Sequence, residues 1–307
     1  MASPFLAVDW GTTNLRAWVV GSECRALRSK DFVLGVGKLS PGEAAKHFFD
    51  TVRPQMSAED LPALLCGMIG SNLGWVQVPY LECPIDMAGL QKGLYRVDTL
   101  GAPVWIVPGL LCQRPDGGPD VMRGEETHVL GWASAAPVRL KGEHLICHPG
   151  THTKWVRLLD GRLESFVTSM TGELFEVLCK HSVLQVRDSD DVQAAFDEGL
   201  SAAGDGGALA SRLFTARSRV VGGGMSPDWV KSYLSGLLIG ADIAGVPALL
   251  GVSLKTPVAV IGDLKLARRY VSALQAYGYA ASLHDGVDAV LAGLKTIAEG
   301  VLDHERV

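Results

Sequence analysis

The chain opens with an apolar run at 5–8 that stops at Asp9, a short turn Gly11-Thr12-Thr13-Asn14, and a second run of alternating character at 15–20. Run, turn and run predict a β-hairpin, and 25–33 can supply a third strand. Gly35-Val-Gly37 then makes a loop. Ser40-Pro-Gly-Glu43 reads as the start of a helix over 43–53, with Pro41 in the first turn and Glu43 at the third position. Short apolar runs at 61–66 and 104–107 predict buried parallel strands, each followed by a loop that contains glycine. The first half therefore has the order β-β-β-α-β-α-β. Such an α/β plan gathers loops at the carboxyl ends of strands, where these folds bind ligands.

From Glu143 the same grammar restarts, with strands over 145–148, 155–159 and 163–168. The turn 149–154 joins the first two, and Asp160-Gly161 is a hairpin signal between the second pair. Helices are predicted over 172–179, 191–203, 207–217 and 227–245, followed by strand 258–261, helix 264–277, strand 280–283 and helix 287–299. Both halves begin with a three-stranded meander whose first turn holds Gly-Thr, the mark of an internal repeat. The expected architecture is two β-β-β-α-β-α units, residues 1–136 and 137–307, with the turns at 9–14 and 150–154 facing one cleft.

Composition narrows the class. A length of 307 residues, 48% hydrophobic and 20% charged, suits one large or two ordinary folded domains. A net charge of −5 argues against a nucleic-acid surface, and nothing resembles a polybasic membrane anchor. The first apolar run lacks a charged leader and is cut by Asp9, so it does not read as a signal peptide. The stretch 232–250 is nearly of membrane length. It carries Asp242 and the small residues Gly236, Gly240, Ala241 and Ala244, which predict a tightly packed buried helix. Cys24, Cys66, Cys83, Cys112, Cys147 and Cys179 show no C-x-x-C pair, which points to reduced thiols and a cytoplasmic protein.

The first turn carries one carboxylate, exposed backbone N–H groups and two hydroxyls, a set that suits a metal-bound polyphosphate. Gly11 lets the backbone approach a phosphate, Thr12 and Thr13 can donate to its oxygens, and Asp9 can hold Mg²⁺ directly or through water. The bland alternative is a surface hairpin. Ser71, Asn72 and Trp75, close to Pro79, Tyr80 and Cys83-Pro84, mix hydrogen-bonding groups with aromatic walls, as a small hydroxylated ligand needs; an ordinary glycine-rich loop is the alternative. Asp120, Arg123, Glu125 and Glu126 crowd one loop. Phosphoryl transfer to an alcohol needs a carboxylate to accept the hydroxyl proton, yet acids at a helix start also favour the dipole.

In the second half Lys154 brings a positive charge to its turn, where it can neutralise transferring oxygens or simply be solvated. Cys147, His148 and His152 raise zinc as an alternative, but a fourth ligand and the usual spacing are missing. Ile261-Gly262-Asp263, a strand end turning into a helix, matches a common nucleotide contact. Gly236 and Gly240 give a flat helix face for a base or another helix.

Six stretches together carry a resemblance: residues 9–16 (Asp-Trp-Gly-Thr-Thr-Asn-Leu-Arg), 67–71 (Gly-Met-Ile-Gly-Ser), 120–126 (Asp-Val-Met-Arg-Gly-Glu-Glu), 149–155 (Pro-Gly-Thr-His-Thr-Lys-Trp), 170–173 (Met-Thr-Gly-Glu) and 232–240. Over essentially its whole length the chain resembles the 2-dehydro-3-deoxygalactonokinase family. That family belongs to the sugar kinase, actin and heat-shock ATPase superfamily, whose members have two ribonuclease H-like domains closing on ATP. The resemblance implies MgATP-dependent phosphorylation of 2-dehydro-3-deoxy-D-galactonate at its 6-hydroxyl, in galactonate catabolism. It also implies sites. Asp9, Gly11, Thr12 and Thr13 look like the first phosphate loop, with Asp9 towards Mg²⁺. Gly150 and Thr151 look like the second, beside Lys154, with Gly262 on the adenine side. Gly124-Glu125-Glu126 stands where related kinases carry Gly-Asp-Gln, whose Asp is the base. Glu125 is the first candidate, ahead of Glu126 and Asp120.

A sugar acid needs a cation, for which Arg16 and Arg123 are candidates by chemistry, with Asn14, Ser71, Asn72 and Trp75 as further substrate contacts. The partners expected are ATP and the sugar acid, without nucleic acid or membrane; a homodimer is compatible with this reading. Another sugar kinase of the superfamily, such as an amino-sugar kinase, and an ATP-driven switch are the alternatives.

Overall fold

The computed structural model describes residues 4–302 apart from 22, 24, 41, 185, 187–188 and 205–207. Pro41, Cys24 and Gly207, the expected start of the helix over 207–217, lie outside the described residues. The chain divides into two compact units: Met1–Gly142 with Leu158–Ser165 and Gly286–Val307, and Glu143–Arg157 with Phe166–Asp285.

In the first unit β1 (Phe5–Trp10), β2 (Leu15–Val20) and β3 (Ala26–Phe32) form the expected antiparallel meander. After α1 (Glu43–His47) and α2 (Arg53–Met56), β4 (Ala63–Gly67) pairs in parallel with β1. β1 and β4 are apolar on both faces because both faces are covered, as central parallel strands require. The helix expected over 43–53 is interrupted. A π-turn at Phe48–Val52 separates α1 from α2, next to Pro54, which lacks the N–H a regular helix would use there.

Strand β5 (Leu81–Glu82), helix α3 (Met87–Lys92) and strands β6 (Tyr95–Val97), β7 (Val104–Ile106), β8 (Leu110–Gln113) and β9 (Pro119–Met122) follow. The main sheet has the order β3-β2-β1-β4-β7-β6, and β5-β8-β9 form a second small sheet. That small sheet corrects the expected loop around Asp120, which sits on β9. Helix α4 (Glu125–Ser134) closes this part of the chain.

The order is repeated in the second unit, with the hairpin Leu158–Ser165 grouped with the first. Strands β10 (Glu143–His148), β11 (Thr153–Leu159) and β12 (Arg162–Ser169) lie beside β13 (Val258–Gly262) and β14 (Ala281–Asp285), in the sheet order β12-β11-β10-β13-β14. Asp160 and Gly161 have φ of 47° and 74°, the pair of positive values that a tight hairpin turn of matching twist needs. Around this sheet are α5 (Thr171–His181), α6 (Gln193–Gly204), α7 (Leu209–Leu213), α8 (Thr215–Val221), α9 (Val230–Leu249) and α10 (Leu264–Ala276). The single helix expected up to residue 217 is two, and α9 runs past Gly245 through Pro247.

By length and composition the segment Pro227–Leu249 could cross a membrane, but most of its apolar window is buried inside the protein. The flat face at Gly236 is filled by α6, since a Cβ there would sit 2.0 Å from the Phe196 carbonyl oxygen.

The closing helix α11 (Gly286–Leu302) returns to the first unit and packs on α4. Gly131 and Gly293 let the two backbones meet: a Cβ on Gly131 would lie 2.4 Å from the Gly293 nitrogen, and one on Gly293 would lie 2.2 Å from the Thr127 carbonyl oxygen. This contact fixes α4, and with it the acidic turn at its start.

Candidate active site

Asp9 is the penultimate residue of β1, and the parallel register sets Cys66 and Gly67 of β4 beside Asp9 and Trp10. Gly67 (φ 88°) and Gly124 (φ 110°) adopt conformations that side chains rarely tolerate. They also touch: a Cβ on Gly124 would lie 3.1 Å from the Gly67 Cα, and one on Gly67 would lie 3.2 Å from Asp9 Oδ1. The start of α4 is thereby seated against the carboxyl ends of β1 and β4.

Two further groups meet Asp9. The Cys66 thiol approaches Oδ1 at 3.8 Å, and His128 Nε2 lies 3.9 Å from Oδ2. Burial, with Asp9 as the next cause, holds the Cys66 thiol well above its ordinary range. Burial also pushes His128 down to about 4, so its imidazole is neutral at physiological pH. His128 was missed in the sequence; its spacing of three from Glu125, which places both on one face of α4, was the signal available.

The two glutamates differ sharply. Glu126 is fully buried (0% exposed); its carboxylate accepts from the Gly124 N–H at 2.7 Å and from the Thr127 hydroxyl at 3.2 Å. Burial, then the neighbouring Glu125 charge, raises its pKa to about 8. Glu125 is half-buried, and its carboxylate accepts from the Arg123 N–H at 3.1 Å. Only Glu125 keeps contact with solvent.

The raised Glu126 value carries a stability prediction. The folded state holds this proton more tightly than the unfolded chain, so the contribution is complete below about 4.5 and is lost as pH rises through about 8. In metal-free protein the Tm should fall across that window, and Glu126→Gln should flatten the fall. An equal slope in wild type and variant would remove Glu126 as its source.

The turn after β1 is held from behind. The Gly11 N–H donates to the Asn14 carbonyl at 2.9 Å; the Val36 and Gly37 N–H groups donate to the Gly11 and Thr12 carbonyls at 3.1 and 3.0 Å. Thr12, Thr13 and Asn14 are exposed. Arg16 pairs across the hairpin with Asp9 in register and forms an exposed ion pair with Asp31 at 3.8 Å. Asp120, on β9, is ion-paired with Arg114 at 3.4 Å.

On the expected sugar side, Ser71 is buried, donates to the Met68 carbonyl at 2.7 Å and accepts from the Leu73 N–H. Asn72 is exposed. Trp75 packs on Phe48 and Phe49 with ring centroids 5.5 and 5.6 Å away. Arg123 is buried against the Tyr80 ring (4.4 Å) and donates to the Val78 carbonyl at 2.7 Å, while its Nε and Nη1 have no hydrogen-bond partner among the described residues. A buried guanidinium with unused donors is costly unless something else takes them up.

In the second unit the turn at Gly150-Thr151 lines a cavity of about 400 Å³. The first turn of α5 abuts it. A Cβ on Gly172 would sit 2.3 Å from the Gly150 carbonyl oxygen, and the Glu173 N–H donates to the Thr151 carbonyl at 2.9 Å. His152 and Glu173 meet at 2.5 Å. Lys154 is buried (5% exposed), with Nζ donating to the His152 carbonyl at 3.3 Å, so it is not a solvated tip.

Gly262 ends β13 and lies outside the cavity lining, while its neighbour Asp263 lines it and caps α10. Phe175, Leu238, Ile239 and Leu266 give the cavity an apolar wall. Lys231, Lys265 and Arg269 give it cations, Arg269 being ion-paired with Asp191 at 2.5 Å. An apolar wall beside cations suits a flat base carrying phosphates. Thr171, Asp191, Arg269 and Tyr270 were missed in the sequence, although 170–173 had been singled out as a motif.

The family model described as 2-keto-3-deoxy-galactonokinase matches residues 9–297. A probable 2-dehydro-3-deoxygalactonokinase (DgoK1) of Rhizobium meliloti strain 1021 is 36% identical over 311 residues, covering 98% of each chain. The 2-dehydro-3-deoxygalactonokinase of Escherichia coli strain K12 is 35% identical over 308 residues, covering 98% of this chain and 99% of its own. A crystal structure from Sinorhizobium meliloti, whose proposed activity is the same kinase, superposes with a TM-score of 0.86 at 35% identity, covering 97% of this chain and 99% of that one. The chain belongs to the 2-keto-3-deoxy-galactonokinase family.

Proposed function

We propose that this protein uses MgATP to phosphorylate the 6-hydroxyl of 2-dehydro-3-deoxy-D-galactonate in galactonate catabolism. Family membership makes it a phosphotransferase with an alcohol acceptor. The observation that supports the finer reading is the junction of β1, β4 and α4, where paired glycines set the start of α4, which carries Glu125, against the ends of the strands that carry Asp9 and Gly67.

In this reading Glu125 is the base. It accepts the proton of the 6-hydroxyl as that oxygen bonds to the γ-phosphorus; the bond from phosphorus to the bridging oxygen breaks, and its electron pair leaves with ADP. Glu126, buried and protonated near neutral pH, keeps a second negative charge away from the base. Asp9 would hold Mg²⁺, which when bound neutralises charge on the phosphate oxygens. One carboxylate suits this ion, which takes one or two together with phosphates and waters. Among the described residues no group of three or more His, Cys, Asp and Glu forms a protein cage for a metal.

Gly11, Thr12 and Thr13 in the first unit, and Gly150, Thr151 and Lys154 in the second, are assigned to phosphate contacts. The cavity beside Thr151 takes the adenosine, with Gly262 behind it. Arg123, with two unused donors, is assigned to the substrate carboxylate, and Arg16 is the second choice. Asn14, Ser71, Asn72 and Trp75 complete the sugar side. The shared sheet order, third strand to first and then two later strands, supports a ribonuclease H-like reading of each unit.

Thr151→Val should weaken ATP binding about tenfold, as loss of a hydrogen bond to a charged group does. Calorimetric titration with ATP reads this directly. An unchanged Kd would take the second turn out of the reading.

A further inference from the structure

Helix α9 is apolar along its length, yet Asp242 is its one acid. Removing a carboxylate from water is expensive unless donors surround it. Here they do: the Thr171 hydroxyl donates to Asp242 Oδ2, and hydroxyls of Ser169 and Tyr270 also face the carboxyl. Burial nonetheless raises Asp242 to about 6. Tyr270 in turn shares a hydrogen bond of 3.1 Å with the Thr153 hydroxyl.

These partners flank the turn at Gly150-Thr151 on both sides. Thr153 begins the strand that leaves the turn. Thr171 begins the helix whose next two residues press on it, Gly172 against the Gly150 carbonyl and Glu173 through its N–H to Thr151. Thr171, Gly172 and Tyr270 line the same cavity as Gly150 and Thr151. The acid accepts directly from Thr171, which follows the turn, and reaches Thr153, which leaves it, through Tyr270.

We infer that Asp242 and Thr171 are positioning residues for the nucleotide, holding the Gly150-Thr151 turn in its binding geometry without touching the reacting atoms. The inference rests on the nucleotide reading of that turn.

The test is a set of four variants, Thr171→Val, Thr171→Ser, Asp242→Ala and Asp242→Asn, measured for ATP Kd, for both KM values, for kcat and for Tm. Thr171→Val should raise the Kd and KM for ATP about tenfold or more. The KM for the sugar acid and the kcat at saturating ATP should stay near wild type, and Thr171→Ser should restore binding. Asp242→Ala should behave like Thr171→Val, and Asp242→Asn should recover part of the loss because its amide oxygen still accepts. Should Asp242→Ala not fold, Thr171→Val, at the cavity lining, carries the test. If wild type binds ATP and Thr171→Val, with an unchanged Tm, binds it equally well, the inference is overturned alone. If wild type itself binds no ATP, the nucleotide reading falls and the inference with it.

Discussion

Glu125→Gln is expected to lower kcat by roughly 10²–10⁴ while ATP affinity stays near wild type. The glutamine keeps the size of the side chain and can still accept from the Arg123 N–H, so the start of α4 should be preserved. What it loses is the ability to take a proton. Glu126→Gln should behave in the opposite way. Its carbonyl can still accept from the Gly124 N–H, and the carboxyl it replaces is already held neutral by burial near pH 7. Its kcat should therefore stay near wild type, and its effect should appear in the pH dependence of stability. A large kcat loss in Glu126→Gln with little in Glu125→Gln would reverse the assignment.

Asp9→Asn is the second large effect, a loss of about 10²–10³ in kcat with the fold intact. Asp9 is half-buried near the end of β1, and its neighbours Cys66 and His128 are a thiol and a neutral imidazole, so neither is left as a buried cation by the change. The loss should be read as a function of Mg²⁺ concentration. A variant that needs far more Mg²⁺ for half-maximal rate fits a metal-holding role. Wild-type rates at every concentration would remove Asp9 from metal binding.

Much of the fold was legible because its signals are local. The run before Asp9, the Gly-Thr turns and Asp160-Gly161 each announce a strand end or a hairpin through their own backbone needs. The repeat was legible because the same signals recur in the same order. The small sheet of β5, β8 and β9 was not, because its strands have two to four residues and β9 starts at a proline. The interruption between α1 and α2 depends on how Phe48 and Val52 pack in the core, which no window of sequence records.

The site divides in the same way. Asp9 and the acidic pair could be found from residue type and spacing. Which of Glu125 and Glu126 faces solvent depends on how α11 seats α4, and that contact lies more than a hundred residues away in sequence. His128 was invisible for a related reason, and the roles of Thr171 and Asp242, though both residues stand out in sequence, were not legible. Each gains its meaning only from the strand or helix brought against it. Arg123 could be proposed as a cation, but its unused donors could not be seen before Val78 and Tyr80 were placed around it.

The central claim is that the protein moves a phosphoryl group from ATP to one hydroxyl of one sugar acid. The most direct measurement is ADP release with MgATP across a panel of sugars and sugar acids, with the site of phosphorylation in the product read by nuclear magnetic resonance. The account predicts rapid turnover of 2-dehydro-3-deoxy-D-galactonate, phosphate on its 6-oxygen, and almost no ADP without an acceptor. No turnover of that acid, alongside turnover of an amino sugar or steady ATP hydrolysis without any acceptor, would contradict it.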